Sequence, residues 1–321
     1  SRPITNVTKA IEGQVTGVLT TTGSGQPGSS ATIRVRGYGS INASSEPLYV
    51  VDGIPYDGSL SSINPSDIES MTILKDASAG ALYGARGANG VVMITTKKGK
   101  EGKASVNWRS TVGWASRAIK EYDMLNQKDF VQLSYEAKRN DYVFKSGYSW
   151  ADAETAAVNA LSGLLGGEAY NPFKNYTWGE IIDPATGQVR SDAQAAWNEP
   201  WMDALMNNNA LRHEHQVSVS GGTDKTKYMF SLGYLNEDGI LTTTGFQRYN
   251  ARANVSTNVT DWFSANLNTS LSHSMQNFSD YDGSSTSNVW YSAQFVSPLF
   301  PVYIKDAEGK NVLDENNKPQ L

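Results

Sequence analysis

The chain has 321 residues, no Cys, 18% charged side chains and a formal net charge of −5. A disulfide framework is therefore excluded, and a mildly acidic chain lacks the electrostatic footprint of a nucleic-acid binder. No run of about 18 apolar residues is present, so no transmembrane helix is predicted. The 16 Tyr, 9 Phe, 8 Trp and 29 Gly suit a sheet protein that faces both lipid and water.

Residues 5–14 (TNVTKAIEGQ) are predicted as a short helix, with Thr5 or Asn6 accepting from its first N–H groups. Thr32–Arg36 alternates, with Ile33 and Val35 on one face and Arg34 and Arg36 on the other, which predicts a strand ended by Gly37 and Gly39. Leu48–Val51 is a short apolar strand, Asp52-Gly53 is a turn signal, and Pro55 keeps the chain extended beyond it. At Asn64-Pro65-Ser66-Asp67 a helix start is predicted, capped by Ser66 or Asp67, with Ile68-Glu69 in its first turn. Ser70–Leu74 is a strand. Asp76 opens a helix through Tyr83 that Gly84 and Gly87 stop, and Gly90 precedes an apolar strand, Val91–Thr95.

From Gly102 onward the pattern changes to long alternation. Val106, Trp108, Val112 and Trp114 oppose Ser105, Asn107, Arg109 and Thr111. Leu211, His213, His215, Val217 and Val219 oppose Arg212, Glu214, Gln216 and Ser218. Tyr228, Phe230, Leu232 and Tyr234 oppose Lys227, Ser231 and Gly233. Tyr249, Ala251, Ala253 and Val255 oppose Arg248, Asn250, Arg252 and Asn254, and Phe263, Ala265, Leu267 and Leu271 oppose Ser264, Asn266, Asn268 and Ser270. A soluble sandwich alternates too. These strands, however, run about twice the usual globular length, which suits tilted membrane strands. Short turns belong on the periplasmic side of such barrels and long loops outside. Ala104–Trp114 then rises, Leu211–Ser220 descends, Thr226–Leu235 rises, Phe246–Thr257 descends and Trp262–Ser274 rises. The apolar faces meet lipid and the polar faces the lumen. On that assignment Phe230→Arg impairs assembly and Ser231→Arg is tolerated.

The segments IRVRG (33–37), LYVVDGIP (48–55), IESMTILKDASAGALYGARGANGVV (68–92) and ITTKKG (94–99), in this order and spacing, resemble the plug domain of TonB-dependent outer-membrane transporters of the SusC/RagA family. The resemblance covers nearly all of residues 5–100. It implies an α/β plug domain inside a large antiparallel transmembrane β-barrel of about 22 strands, only the first of which are present here. The expected division is a plug over 1–101 and the N-terminal part of the barrel over 102–321, with a long extracellular loop at about 118–210. The resemblance further implies import of large nutrients driven by TonB (with ExbB and ExbD) and a SusD-like surface lipoprotein that closes the outer mouth. The TonB-contacting segment is expected before Ser1. SRPITNVTKA carries no signal peptide, so one is expected to have been removed or to lie outside the chain.

The resemblance implies structural or gating roles for the plug-motif residues Arg34, Arg36, Gly37, Asp52, Gly53, Pro55, Glu69, Asp76, Tyr83, Gly84, Arg86, Gly87 and Gly90. Arg34, Arg36, Arg86, Asp67, Glu69 and Asp76 are either latches between plug and barrel or solvated charges in a wet lumen, where exposed pairs contribute at most about 1 kcal/mol. RGYGS and GARGAN lack the strand–glycine–helix context of a dinucleotide site, so their glycines are backbone-geometry positions.

The segment 118–210 is long for a loop and contains helical stretches at Leu125–Arg139 and Asp152–Leu165. Its Trp150, Trp178, Trp197 and Trp201, with Tyr38 and Tyr56 of the plug, are candidate cargo contacts. Aromatic faces beside Asp, Asn and Glu suit sugars; the alternative is that these rings pack the loop. Oligosaccharide is the first cargo and oligopeptide, as in RagA-like members, the second. A glycoside hydrolase built on Asp152, Glu154, Glu168, Glu180, Asp183 or Glu199 has no recognisable scaffold. The three histidines, His213, His215 and His273, fall short of a closed zinc site and read as interfacial side chains. No cofactor or metal is expected, and the membrane partner is outer-membrane lipid.

Overall fold

The computed structural model describes residues 7–13, 15–23, 25–35, 37, 45–75, 82–119, 122–279 and 288–320. They form two compact units, residues 1–116 with 207–279, and residues 117–206 with 280–321.

The first unit begins with a helical turn, Val7–Ala10, followed by a two-stranded sheet of β1 (Val18–Thr21) and β2 (Thr32–Val35). β1 carries no strong sequence signal. A four-stranded sheet follows, in the order β4 (Ile54–Pro55), β3 (Leu48–Val51), β6 (Val91–Thr96), β5 (Ile68–Leu74). Only the β3–β6 pair is parallel. Asp52 (φ 50°) and Gly53 (φ 89°) both take left-handed backbone, which is the two-residue hairpin turn the Asp-Gly signal predicts. Val7, Ile11, Ile33, Leu60, Ile63, Val92 and Ile94 form the main apolar core beneath these sheets.

Two predicted elements are corrected. The helix expected over 5–14 is the single turn Val7–Ala10, and residues 11–13 bend out of it. Pro65–Asp67 is a single 3-10 turn, and the capping side chain is Asn64, which accepts from Ser66 N at 3.0 Å. Ile68 and Glu69 are the first residues of β5 and not a helical turn. Proline at the first position stops the chain short of a regular helix, and the β-branched run that follows pairs with β6. Gly84–Gly87 continues as a 3-10 turn before Gly90 (φ 89°) leads into β6. Arg36, Tyr38 and Asp76 lie outside the described residues.

Five long antiparallel strands complete the unit: β7 (Gly102–Ala115), β10 (Ala210–Gly222), β11 (Thr226–Asp238), β12 (Gly245–Thr260) and β13 (Phe263–Asn277). Their order is β13-β12-β11-β10-β7. The register places Val219 opposite Val106 and Phe230, Phe230 opposite Ala253, and Ala251 opposite Leu232 and Leu271. One face is thus apolar and open: Trp108 is 72% exposed and Leu232 65%. The other face buries Arg212, Gln216, Ser231, Arg248, Arg252 and Asn254. Burying the polar face and exposing the apolar one reverses the arrangement of a water-soluble sheet, and it is the arrangement of a sheet solvated by lipid.

The second unit is built on two helices, Gln127–Phe144 and Trp150–Leu164. Asn126 accepts from Asp129 N at 2.9 Å and Ser149 from Asp152 N at 3.2 Å, which fixes where each helix starts. Gly166 (φ 90°) and Gly167 (φ 88°) turn the chain after the second. A small hairpin, β8 (Ile182–Asp183) and β9 (Gln188–Val189), and the helices Trp201–Leu205 and Val289–Phe295 complete it. Val131, Tyr135, Leu161, Phe173, Trp178, Ile181 and Leu299 form its core.

Candidate functional site

The polar face of β10–β12 is buried because the plug sits on it, and the contact is made of hydrogen bonds. Asp67, at the end of the 3-10 turn, is 3% exposed. Its Oδ1 accepts from Gln216 Nε2 at 2.8 Å and from Ser231 Oγ at 2.8 Å. Its Oδ2 lies 4.0 Å from Arg252 Nε. Arg252 Nη1 donates to Thr96 Oγ1 at 3.0 Å and to Asp52 Oδ2 at 3.4 Å. Asp52 in turn accepts from Thr96 N at 2.9 Å and from Thr96 Oγ1 at 2.6 Å. A buried guanidinium therefore lies between two buried carboxylates, which flank the C-terminal end of β6 from its two sides. Pairing of this kind is what makes a buried charge tolerable. Burial pushes the Asp67 carboxyl above the usual carboxylate range, while the Ser231 hydroxyl and then the Arg252, Lys97 and Arg248 charges pull it down.

The neighbouring luminal residues bind plug backbone. Arg248 Nη1 donates to Ser61 O at 2.8 Å and Ile63 O at 3.3 Å, Asn250 Nδ2 to Ser62 O at 2.8 Å, and Asn254 Nδ2 to Lys97 O at 2.7 Å. Four alternate residues of one strand thus hold two plug segments, 61–63 and 96–97. Two glycines mark close approach, to a side-chain amide at Gly233 and to main chain at Gly99. A Cβ on Gly233 would lie 2.7 Å from Asn64 Nδ2, and one on Gly99 would lie 2.4 Å from Tyr228 N and O. A second contact sits towards the other end of the strands. Gln276 Nε2 donates to Pro27 O at 2.7 Å, and the Phe246 ring fills the space a Cβ on Gly28 would take, at 2.3 Å.

Among the described charged residues weighed as latches, Asp67 is the one the fold buries between plug and strands. Arg86 pairs with Asp57 at 2.8 Å and Glu69 with Lys100 at 3.9 Å, both exposed and both within residues 57–100. Arg34 stands half-buried on β2 opposite Leu19. Gly37 (φ 90°) ends β2, and Pro55 lies at the end of β4 opposite Val50. Tyr83 packs on Leu48, Val50 and Val91, and Gly84 and Gly87 bound the turn that carries Arg86. The luminal partners Arg248, Asn250, Arg252 and Asn254 were visible only as a polar face. Two Arg and two Asn at every second position were the available signal. The expected tolerance of Ser231→Arg is overturned, because Ser231 is 4% exposed beneath Asp67 and leaves no room for an arginine.

The aromatic candidates separate. Trp178 (0% exposed) and Trp197 (4%) are core residues whose indole N–H groups donate to Gly167 O and Leu299 O, both at 3.0 Å. They have no surface to offer cargo, which corrects their placement among the contacts. Trp201 Nε1 donates to Phe300 O at 2.9 Å. Trp150 is 52% exposed beneath the Arg139 guanidinium at 5.2 Å, and Tyr56 packs on the plug core with its hydroxyl on Ser59 O at 3.1 Å. The candidate carboxylates have local duties: Asp152 with Ser149, Glu168 with Trp178 N, Glu180 with Thr177, Asp183 with Ala185 N, and Glu199 with Val302 N and Lys305. Among the described residues no three metal-ligating side chains cluster.

A plug hydrogen-bonded to the inner face of lipid-solvated strands defines a gated outer-membrane barrel. Residues 1–91 match the TonB-dependent Receptor Plug Domain family. The chain is 32% identical over 309 residues to the TonB-dependent receptor SusC of Bacteroides thetaiotaomicron, covering 93% of this chain and 25% of that protein. It is 34% identical over 263 residues to the TonB-dependent receptor P26 of Formosa agariphila, covering 81% of this chain and 22% of that protein. Among solved structures it resembles the RagAB peptide importer in its closed-closed state, with a TM-score of 0.69 and 30% identity, covering 88% of this chain and 30% of that one. The chain belongs to the SusC/RagA family of TonB-dependent receptors, outer-membrane β-barrel proteins whose plug faces the periplasm. It spans about a quarter of the length of the curated relatives it matches.

Proposed function

We propose that this chain supplies the plug (1–101) and the first barrel strands (from 102) of a TonB-dependent importer of large nutrients. The observation that carries this reading is the buried junction of Asp67, Arg252 and Asp52 with the backbone bonds around it. The junction holds the plug in the lumen at rest, and cargo passes only when it parts. TonB, energised by ExbB and ExbD, would supply that force through a segment N-terminal to the plug. In this reading Gly53 shapes the turn that presents Asp52, the Asn64-capped turn presents Asp67, and Arg34, Glu69 and Arg86 tune the plug surface. The segment at about 118–210 lies outside the cell, where a SusD-like lipoprotein would close over it. The protein acts as a transporter and not as an enzyme.

Oligosaccharide is the first cargo class. It is supported by the exposed rings of Trp150 and Tyr170 in the second unit. Oligopeptide is the second, favoured by the likeness to the RagAB peptide importer. The test is uptake of fluorescent oligosaccharides and oligopeptides of matched mass by cells carrying the full-length receptor, with and without TonB. TonB-dependent entry of one class supports the reading and selects the cargo. Entry of neither class, with the receptor in the membrane, refutes it.

A further inference from the structure

The chain has three histidines, and the register sets all three in two adjacent rows of the outward, lipid-facing side of the sheet. The lower row runs Ser110, His215, Tyr234, Tyr249, His273 across β7, β10, β11, β12 and β13. The row above it runs Val112, His213, Asn236, Gln247, Met275. The row below is wholly apolar: Trp108, Val217, Leu232, Ala251, Leu271. The lipid-facing surface thus changes within one step from purely hydrocarbon to hydrogen-bonding. These side chains are already organised: Ser110 Oγ lies 2.9 Å from His215 Nδ1, His213 Nδ1 3.3 Å from His215 Nε2, and Gln247 Nε2 donates to Tyr234 OH at 2.9 Å. The Tyr234 and Tyr249 rings lie 4.9 Å apart.

The step sits at a membrane boundary. His273 lies ten residues along β13 from Phe263, which with Trp262 marks the short-turn end. Ten residues at about 3.4 Å each, tilted by about 40°, rise about 26 Å, close to the height of a barrel's apolar band of about 25 Å. A groove of 540 Å³ runs down from the His–Tyr row between Leu232 and Leu271 over Ala251.

We propose that this patch is a binding site for an outer-leaflet lipid with a phosphorylated headgroup. The headgroup takes donors from His213 and Tyr234 on β10 and β11 at one end and from His273 on β13 at the other, two to three strand spacings (about 10–14 Å) away, and an acyl chain lies in the groove below. The polarity step fits one amphiphile, with donors beside the headgroup and hydrocarbon beside the chain. An ordinary interfacial belt needs amphipathic rings only. This inference goes beyond nutrient import and uses only the orientation given above, so cargo-uptake results leave it untouched.

The test is native mass spectrometry of the full-length receptor in detergent, titrated with bis-phosphorylated lipid A or with the same lipid after phosphatase treatment. The expected result is at least tenfold stronger retention of the phosphorylated lipid, lost in a His213→Ala, His215→Ala, His273→Ala variant. Equal retention of both lipids by the unmodified receptor overturns the proposal, as does unchanged lipid retention by the variant. So does a second protein copy, or a lipoprotein, cross-linked onto the row in place of lipid. Should the variant fail to assemble, the two-lipid comparison on the unmodified receptor decides alone.

Discussion

Arg252→Met tests the junction most sharply. The substitution keeps much of the side-chain volume but removes the cation between Asp52 and Asp67, whose side chains are 8% and 5% exposed. Removing one partner of a buried pair costs about 3–5 kcal/mol, because the remaining charge is left uncompensated. At about 1.4 kcal/mol per tenfold, the undocked plug population rises by about a hundred- to several-thousand-fold. The assay is hydrogen exchange at the Thr96 amide, which donates to Asp52, and at the Lys97 amide, which donates to Asp67 O. The defect also depends on pH. Burial already raises the Asp67 pKa, and loss of Arg252 removes one of the charges that lowers it. The docked plug then binds a proton more readily than the undocked one. Its stability is therefore greatest at low pH and falls as pH rises through the raised pKa. Exchange in the variant is slower at about pH 5 than at about pH 8, after correction for intrinsic rates. Exchange within twofold of the unmodified protein at both pH values refutes the reasoning.

Other substitutions probe the surrounding architecture. Phe230→Arg places a charge on the lipid face and costs about 2–4 kcal/mol at mid-membrane. Asn266→Arg, exposed on the opposite face, is tolerated, and equal assembly yields for the two would contradict the facing assignment. Gly99→Ala drives a methyl group into the Tyr228 main chain, so it lowers the yield of folded receptor and the melting temperature; an unchanged melting temperature contradicts the close approach. Asn64→Ala removes the cap on Ser66 N and costs about 1 kcal/mol, measured as a loss of protease resistance at the 60–67 segment.

How much could be read in advance followed the range of the interaction. The five long strands were legible almost to their ends, because alternation is local and the lipid face demands it at every second residue. Leu48–Val51 and the Asp52-Gly53 turn were legible for the same reason, since left-handed backbone favours Asp and Gly. Asp67 was singled out as one charged residue among several. Nothing local distinguishes it from Glu69, because its partners Ser231 and Arg252 lie 164 and 185 positions away. Asp52 looked complete as a turn residue, and its second duty, binding Thr96 and Arg252, exists only once β3 and β6 pair. Trp178 and Trp197 looked like surface aromatics because their segment reads as loop; the apolar faces of the two helices bury Trp178, and Trp197 is buried against Leu299 O, Lys174 and the Gly309 turn. Phe246 breaks the polar parity of the inner face because the plug segment at Gly28, and not water, covers it.

The central claim is that the Asp67 junction must part for cargo to pass. Residues 1–321 contain no Cys, so Asp67→Cys with Ser231→Cys, with any Cys elsewhere in the full-length receptor replaced by Ser, gives one defined pair across the junction. Uptake of the transported cargo is measured in cells carrying this variant, with the pair oxidised and then reduced. The account predicts uptake abolished by oxidation and restored by dithiothreitol. Equal uptake in the two states, with the cross-link verified by mass spectrometry, would contradict it.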